Sequence, residues 1–308
     1  MPDYYCPLHP GGCMNATPPL PFPYTVDELL TAYAAEYLPA KSPRTRYQQE
    51  HLFRWLHREL GHYKLTELTP VLLRSWKGTL LTRYAPGTVR RYMGTLHVVL
   101  NVAVKHYEWL RDNPLDKVSQ PPSPKGRTRF LSDDERRRLL DACKASKQRA
   151  LYPMVLLALT TGMRRGEVQG LRWPDIDFTR GQLQLRDTKN GEARPVPLPR
   201  ITQDCLKVWR ERRRNDVEWV FPGMGDFPLS VDGAWRVACR NAGLQDFRYH
   251  DLRHSAASYL AMSGADLREI AEILGHKNIS MTKKYSHLTT SHMGQIVERM
   301  AALFLEST

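Results

Sequence analysis

From Leu274 to His287 the chain reads Leu-Gly-His-Lys-Asn-Ile-Ser-Met-Thr-Lys-Lys-Tyr-Ser-His, which places Tyr285 nine residues after His276. Upstream stand His250-Asp251-Leu252-Arg253 and Thr161-Gly162-Met163-Arg164-Arg165-Gly166-Glu167. Two arginines, two histidines and a tyrosine in this order suit an attack on a phosphodiester. Guanidiniums present paired N–H donors that match nonbridging phosphate oxygens as charge builds in the transition state, a fit that an ammonium cannot copy. A tyrosine hydroxyl can become covalently bound to phosphorus. A phenol with an ordinary pKa of about 10 is poorly ionised at neutral pH, so Tyr285 needs cationic neighbours or a base for its proton. His250 lies within one helical turn of Arg253 and could share the phosphate and assist that transfer. His276 could donate to a nonbridging oxygen. A lone tyrosine of this kind is more often a packed surface ring, and only the ordered set of residues points to chemistry. No acidic cluster has metal-ligand spacing, which argues against a two-metal nuclease, and the positive side chains can replace a metal's charge. No glycine-rich phosphate loop ending in Gly-Lys-Ser/Thr is present. The reaction is expected to need neither metal nor other cofactor.

The rest of the chain must position these groups on or beside a polyanion. The 308 residues carry a net charge of +13 with a pI near 9.6. Residues 1–125 hold 15 Lys and Arg against 10 Asp and Glu, and the remainder 30 against 22. The basic excess therefore belongs to both halves, and each phosphate contact would release counterions. A basic surface that merely aids solubility is the alternative on charge alone. Five scattered cysteines form no disulfide framework and fit a reducing cytosol. Cys6, His9 and Cys13 offer three zinc ligands without an obvious fourth, so a disordered leader is preferred to a metal knuckle. No cationic segment followed by an apolar run opens the chain, and no apolar stretch is long enough to span a bilayer. A soluble cytoplasmic protein, associated with the nucleoid when on DNA, is expected.

A chain of this length usually splits into two domains. Residues 1–23, rich in proline and glycine, read as a flexible leader. Residues 24–115 read as four helices with short connections. Thr25-Val26-Asp27-Glu28 is a capping box that opens the first helix, which ends before Pro39. The second runs from Ser42 to Leu60 with Leu52, Phe53 and Leu56 inward, and Thr69-Pro70 caps the third. Pro86-Gly87 is expected to break the chain before a fourth helix from Thr88 to about Glu108. Residues 116–129, with three prolines and several cations, read as a basic linker. Residues 130–308 form the second domain, opened by the capping box Ser132-Asp133-Asp134-Glu135. Alternation in 182–187 and 193–198 around Asn190-Gly191 predicts a β-hairpin. An amphipathic helix from about His292 to Leu305 closes the chain.

The chain resembles the tyrosine recombinase family of phage-type integrases and site-specific recombinases over about residues 24–295. The matching blocks are Thr-Gly-Met-Arg-Arg-Gly-Glu at 161–167, Thr-Lys-Asn-Gly at 188–191, His-Asp-Leu-Arg-His at 250–254, and Leu-Gly-His through Tyr-Ser-His at 274–287. The resemblance implies a mainly α fold with a small β-sheet: an N-terminal four-helix, SAM-like core-binding domain and a C-terminal mixed α/β catalytic domain that clamp duplex DNA. It also implies that Tyr285 is the nucleophile and forms a 3′-phosphotyrosine with release of a 5′-hydroxyl. The family motif puts the catalytic arginine directly after Thr-Gly-hydrophobic, which selects Arg164 over Arg165 as partner of Arg253. Glu167 then orients Arg164 or a histidine. Lys189, at the hairpin turn, is the general acid for the leaving 5′-oxygen, because an alkoxide leaves poorly unprotonated. His254 and His287 are expected to support the site.

DNA contacts are expected from Arg44, Arg46, Arg90 and Arg91 at the starts of helices, and from the linker. The implied partners are double-stranded DNA, a second copy on each site, a tetramer in the synapse, and accessory bending or directionality factors. The last helix could dock on a neighbouring protomer or pack in cis. The expected function is integration or excision of a mobile element. A chromosome-dimer or plasmid resolvase would share every motif, a type IB topoisomerase would relax DNA without exchange, and a non-catalytic DNA binder would not need the full residue set.

Overall fold

The structure is a computed structural model. It describes residues 24–123, 126–185, 193–212, 217–223, 229–276 and 278–288, together with 298, 300 and 301. The chain divides into two compact units, residues 1–125 and 126–308.

The first unit is built from α1 (Val26–Tyr37), α2 (Pro43–Leu60), α3 (Pro70–Arg83) and α4 (Pro86–Lys105). Three of the four helices begin where a hydroxyl can satisfy an orphan amide. Thr25 accepts from Glu28 N, Ser42 from Thr45 N and Thr69 from Leu72 N. Pro86 does not break the chain but forms the first turn of α4, where its missing N–H costs nothing and its fixed φ suits the helix. Helix α2 ends at Leu60, and its cap Gly61 is right-handed (φ −52°). A Cβ there would lie 2.4 Å from the His57 carbonyl oxygen. Leu29, Leu30, Leu56, Leu73, Leu80, Met93, Leu96 and Leu100 are fully buried and form one core. Leu52 is only half-buried, and Trp55 takes an inward place instead, stacked on Tyr92 with ring centroids 3.8 Å apart. Leu115 and Val118, around a short 3-10 turn at Pro114–Lys117, pack into the same core.

In the second unit, α5 (Asp133–Lys144) starts at Ser132 with both halves of its capping box formed. It leads to α6 (Leu151–Thr161), in which nine residues are buried, as its apolar sequence requires. A short α7 (Arg165–Gln169) precedes a three-stranded antiparallel sheet of β1 (Ile176–Asp177), β2 (Gln182–Leu185) and β3 (Arg194–Pro197), in the order β1-β2-β3. Leu183 pairs with both Ile176 and Val196, which stacks three apolar side chains on the core face. The expected hairpin strands are present at 182–185 and 194–197, and β1 is an addition. The Asn190-Gly191 turn and Lys189 lie outside the described residues, as do residues 1–23 and most of the expected last helix. Then come α8 (Arg200–Glu211), α9 (Asp232–Asn241), α10 (Asp251–Met262) and α11 (Leu267–Leu274), followed by 3-10 turns at Ile279–Met281 and Lys283–Leu288. Helix α10 is the positioning element, with every residue from Asp251 to Ser258 buried. Ser255 ties it to the chain before α5, accepting from Leu131 N at 3.0 Å and donating to Asp251 O at 2.9 Å. Among the described residues, no helix is long and apolar enough to cross a membrane.

Candidate active site

The carboxyl end of α11 organises the arginines. Gly275 is left-handed (φ 68°), and the turn closes with His276 N donating to Ala271 O at 2.8 Å and Gly275 N to Glu272 O at 3.0 Å. The next three carbonyls, which a helix end leaves without intrahelical donors, are each taken by an arginine from a different element. Arg194 of β3 donates Nη1 to Ile273 O at 2.5 Å, Arg253 of α10 donates Nη2 to Leu274 O at 2.7 Å, and Arg164 donates Nη2 to Gly275 O at 3.1 Å. The negative end of the helix dipole favours cations at this place. Arg253 also donates Nη1 to Gly162 O at 2.7 Å, which joins the end of α6 to the end of α11. Gly162 is left-handed as well (φ 64°), and a Cβ on it would lie 2.3 Å from Leu274 Cδ2.

One carboxylate sits among the three guanidiniums. Arg164 is the cap of α7 and Glu167 its third residue, so the carboxylate can reach back to the cap's own N–H and guanidinium. Glu167 accepts Arg164 N at 2.8 Å and Arg164 Nη1 at 2.7 Å, and lies 3.6 Å from Arg194 Nη2. Its side chain is nearly buried. Arg165 faces away from this cluster into a bidentate pair with Asp232, at 2.6 and 2.7 Å. Burial, and then the charge of Arg164, pull the Arg253 guanidinium down to about 10, which still leaves it charged at neutral pH. Burial lowers Arg194 too, with Glu167 opposing and Arg164 adding to the shift. Three positive groups around one carboxylate leave a net positive site suited to an anion.

Tyr285 lies in the Lys283–Leu288 turn against Ala257 and Ala261 of α10 and Ile270 and Leu274 of α11, and is only 2 % exposed. Its hydroxyl is 2.6 Å from His254 Nδ1, and Lys284 Nζ is 3.1 Å from the same nitrogen. An ammonium can only donate, so Nδ1 is the bare nitrogen and the tyrosine hydroxyl donates to it as well. Burial, then the charge of Lys284, pull His254 down to about 4, so the ring is neutral at pH 7. Burial raises the Tyr285 phenol, against the lowering effect of Arg253, and burial followed by Arg253 lowers Lys284. His254, expected only to support the site, is thus the histidine on the tyrosine. His250, exposed at the start of α10, stands edge-on to the His254 ring at 5.1 Å, one helical turn away. His276 engages Thr282 Oγ1 through Nδ1 at 2.9 Å, which leaves Nε2 for a ligand. Burial, then Arg253 and Arg164, bring His276 to about 4. Among the described residues no group of His, Cys, Asp or Glu could hold a metal ion.

Asp251, 1 % exposed, fixes the start of α10. It accepts Arg127 Nε at 3.2 Å, Arg127 Nη2 at 2.9 Å and Arg248 N at 2.8 Å. The four arginines expected on DNA lie in the other unit. All four are exposed, but Arg46 gives Nη2 to Pro39 O at 2.9 Å, Arg90 gives Nη1 to Pro121 O at 3.0 Å, and Arg91 lies over the Tyr92 ring. Among the described residues Arg44 makes no such contact.

Residues missed in the sequence left uneven signals. Arg194 shares strand parity with the buried Val196 and Leu198, and a cation at an inward position marks a buried partner. His254 follows His250 by four residues and so shares its helix face, but no local pattern tells which of the two meets Tyr285.

The fold and this cluster define a protein with a mixed α/β domain that carries an arginine-histidine-tyrosine site. The Phage integrase family matches residues 129–292, and the chain belongs to that family. The shufflon-specific DNA recombinase of Escherichia coli is 33% identical over 236 residues, which cover 73% of this chain and 59% of that protein. This chain thus spans less than two thirds of that relative's length. The Tn1549 transposon integrase in complex with a circular intermediate DNA superposes with a TM-score of 0.72 at 18% identity, over 89% of this chain and 99% of the other. A lambda integrase tetramer bound to a Holliday junction gives a TM-score of 0.68 at 20% identity, over 82% and 78%. Both likenesses show the shared fold.

Proposed function

We propose that the protein is a site-specific DNA recombinase that cuts and rejoins strands through a 3′-phosphotyrosine at Tyr285, integrating or excising a mobile element. The observation that carries this reading is the Tyr285 hydroxyl at 2.6 Å from a neutral His254, in a unit where three arginines converge on the end of α11. Arg164 and Arg253 hold the nonbridging oxygens, and His276 Nε2 donates to one of them. A Thr282 hydroxyl that donates to Nδ1 leaves the proton on that Nε2. Tyr285 attacks phosphorus as its proton passes to His254 Nδ1. The bond to the 5′-oxygen breaks, and that oxygen takes a proton from Lys189. An incoming 5′-hydroxyl reverses the steps. The phosphodiester energy is kept in the tyrosine ester, so no nucleotide cofactor is consumed.

Tyr285 at 2 % exposure is out of reach of a phosphate. Binding of DNA must open the Lys283–Leu288 turn far enough to admit a phosphate to the Tyr285 hydroxyl, with the His254 contact kept for proton transfer. The partners are double-stranded DNA, a dimer on each site and a tetramer in the synapse, with accessory bending or directionality factors, and the DNA substrate places the enzyme in the cytoplasm. The four-helix segment supplies phosphate contacts from Arg44, Arg46, Arg90 and Arg91. The test incubates two plasmid-borne copies of the sequence flanking the protein's own gene. Exchange of flanking markers supports a recombinase, whereas relaxation of supercoils without exchange would assign a topoisomerase.

A further inference from the structure

We propose that Arg194 is a positioning residue for the reaction, acting through Glu167 on Arg164 and through the Ile273 carbonyl on the segment that carries His276. The proposal rests on the recombinase reading above. Arg194 faces Glu167, the carboxylate that orients Arg164, so it stands behind Arg164 and is assigned no contact with the phosphate. Its Nη1 holds Ile273 O at 2.5 Å, next to the carbonyls held by Arg253 and Arg164. Among the described residues its Nε and Nη2 are buried with no hydrogen bond, and Nη2 stands 3.6 Å from Glu167. A residue that only filled this space would be apolar, because buried N–H groups without acceptors destabilise a fold. The backbone has made room for it: a Cβ on Gly275 would fall 2.5 Å from Arg194 Nε and 2.9 Å from its Cδ and Cζ.

The consequence is electrostatic as well as geometric. Alone with Arg164, the Glu167 carboxylate would neutralise the guanidinium that must hold the phosphate. Arg194 draws on the same carboxylate from the inner side, so Glu167 orients Arg164 without cancelling its charge. Removing Arg194 frees Ile273 O and loosens the end of α11, where Gly275 O also anchors Arg164.

The test is a double-mutant cycle on the first-order rate of covalent adduct formation at saturating DNA, using a nicked duplex from the flank of the protein's own gene. Arg194→Gln is expected to lower the rate about 10–100-fold, the loss that follows from misplacing a catalytic group by about an ångström. DNA affinity should stay within about twofold. In an Arg164→Lys background the same substitution is expected to add less than about threefold, because Arg194 acts through Arg164. A full repeat of the loss in that background, an unchanged rate in the single variant, or a loss carried wholly by affinity would overturn the proposal. Should Arg194→Gln show no cooperative melt, the cycle is run with Arg194→Lys, which keeps the charge but cannot bridge Ile273 and Glu167 together. A wild-type protein that forms no adduct would sink the recombinase reading itself, a result distinct from any ratio between variants.

Discussion

The burial of His254 beside Lys284 makes stability depend on pH in a calculable way. His254 is 9 % exposed and titrates near 4 in the folded chain, against 6.5 for an ordinary histidine. Between those values the unfolded chain binds a proton that the native site refuses. The contribution is therefore complete above pH 6.5 and is lost progressively as the pH falls toward 4. For these two pKa values, the loss between pH 8 and pH 5 is about 2 kcal/mol from this one group. Replacing His254 by Gln removes the titration, while His276, which carries a similar shift, remains in both proteins and cancels in the comparison. Urea unfolding followed by circular dichroism should be run on both proteins at pH 8 and pH 5. The variant's stability change over that interval is expected to be smaller than the wild type's by about 2 kcal/mol. Equal changes in the two proteins would refute the claim that His254 is held neutral against the Tyr285 hydroxyl.

Three further outcomes follow from the same geometry. Gly162→Ala forces a left-handed alanine, at about 1–2 kcal/mol, and drives its Cβ into Leu274, at about 1–3 kcal/mol more; denaturant unfolding should show a loss of about 2–5 kcal/mol, with a slower cleavage rate because Arg253 holds both segments. Arg253→Met leaves the Gly162 and Leu274 carbonyls without donors, so stability should fall by about 1–3 kcal/mol after allowing for the relief of a buried charge, and adduct formation in a single-turnover assay should fall by at least about 100-fold. Tyr285→Phe removes one hydrogen bond, to His254, and should shift stability by no more than about 1.5 kcal/mol while filter binding shows unchanged DNA affinity.

Much of this was legible before the fold was known, and the reasons are local. Thr25, Ser42, Thr69 and Ser132 announce helix starts because each has a side-chain oxygen placed to meet an amide two or three residues on. Pro86 misled because a proline both ends and begins helices, and only the Ala85 cap geometry decides between them. Strand β1 has two residues, too few to show alternation. In the site, Arg164 and Glu167 are three residues apart, so their pairing is a helix-start property readable in the chain. The pairing of Tyr285 with His254 joins residues 31 apart, and it depends on how the turns after α11 fold back over α10. The three arginines at Ile273, Leu274 and Gly275 come from β3, α10 and the start of α7. Their convergence is a tertiary fact that no spacing encodes.

The central claim is that Tyr285 becomes joined to a DNA 3′-phosphate. It is tested most directly by trapping the protein on a nicked duplex from the flank of its own gene, digesting the adduct and locating the modified residue by mass spectrometry. The account predicts a single nucleotide-bearing peptide with the phosphate on Tyr285 and a free 5′-hydroxyl on the released strand. An adduct on another residue, a 5′-linkage, or an adduct that persists in Tyr285→Phe would contradict it.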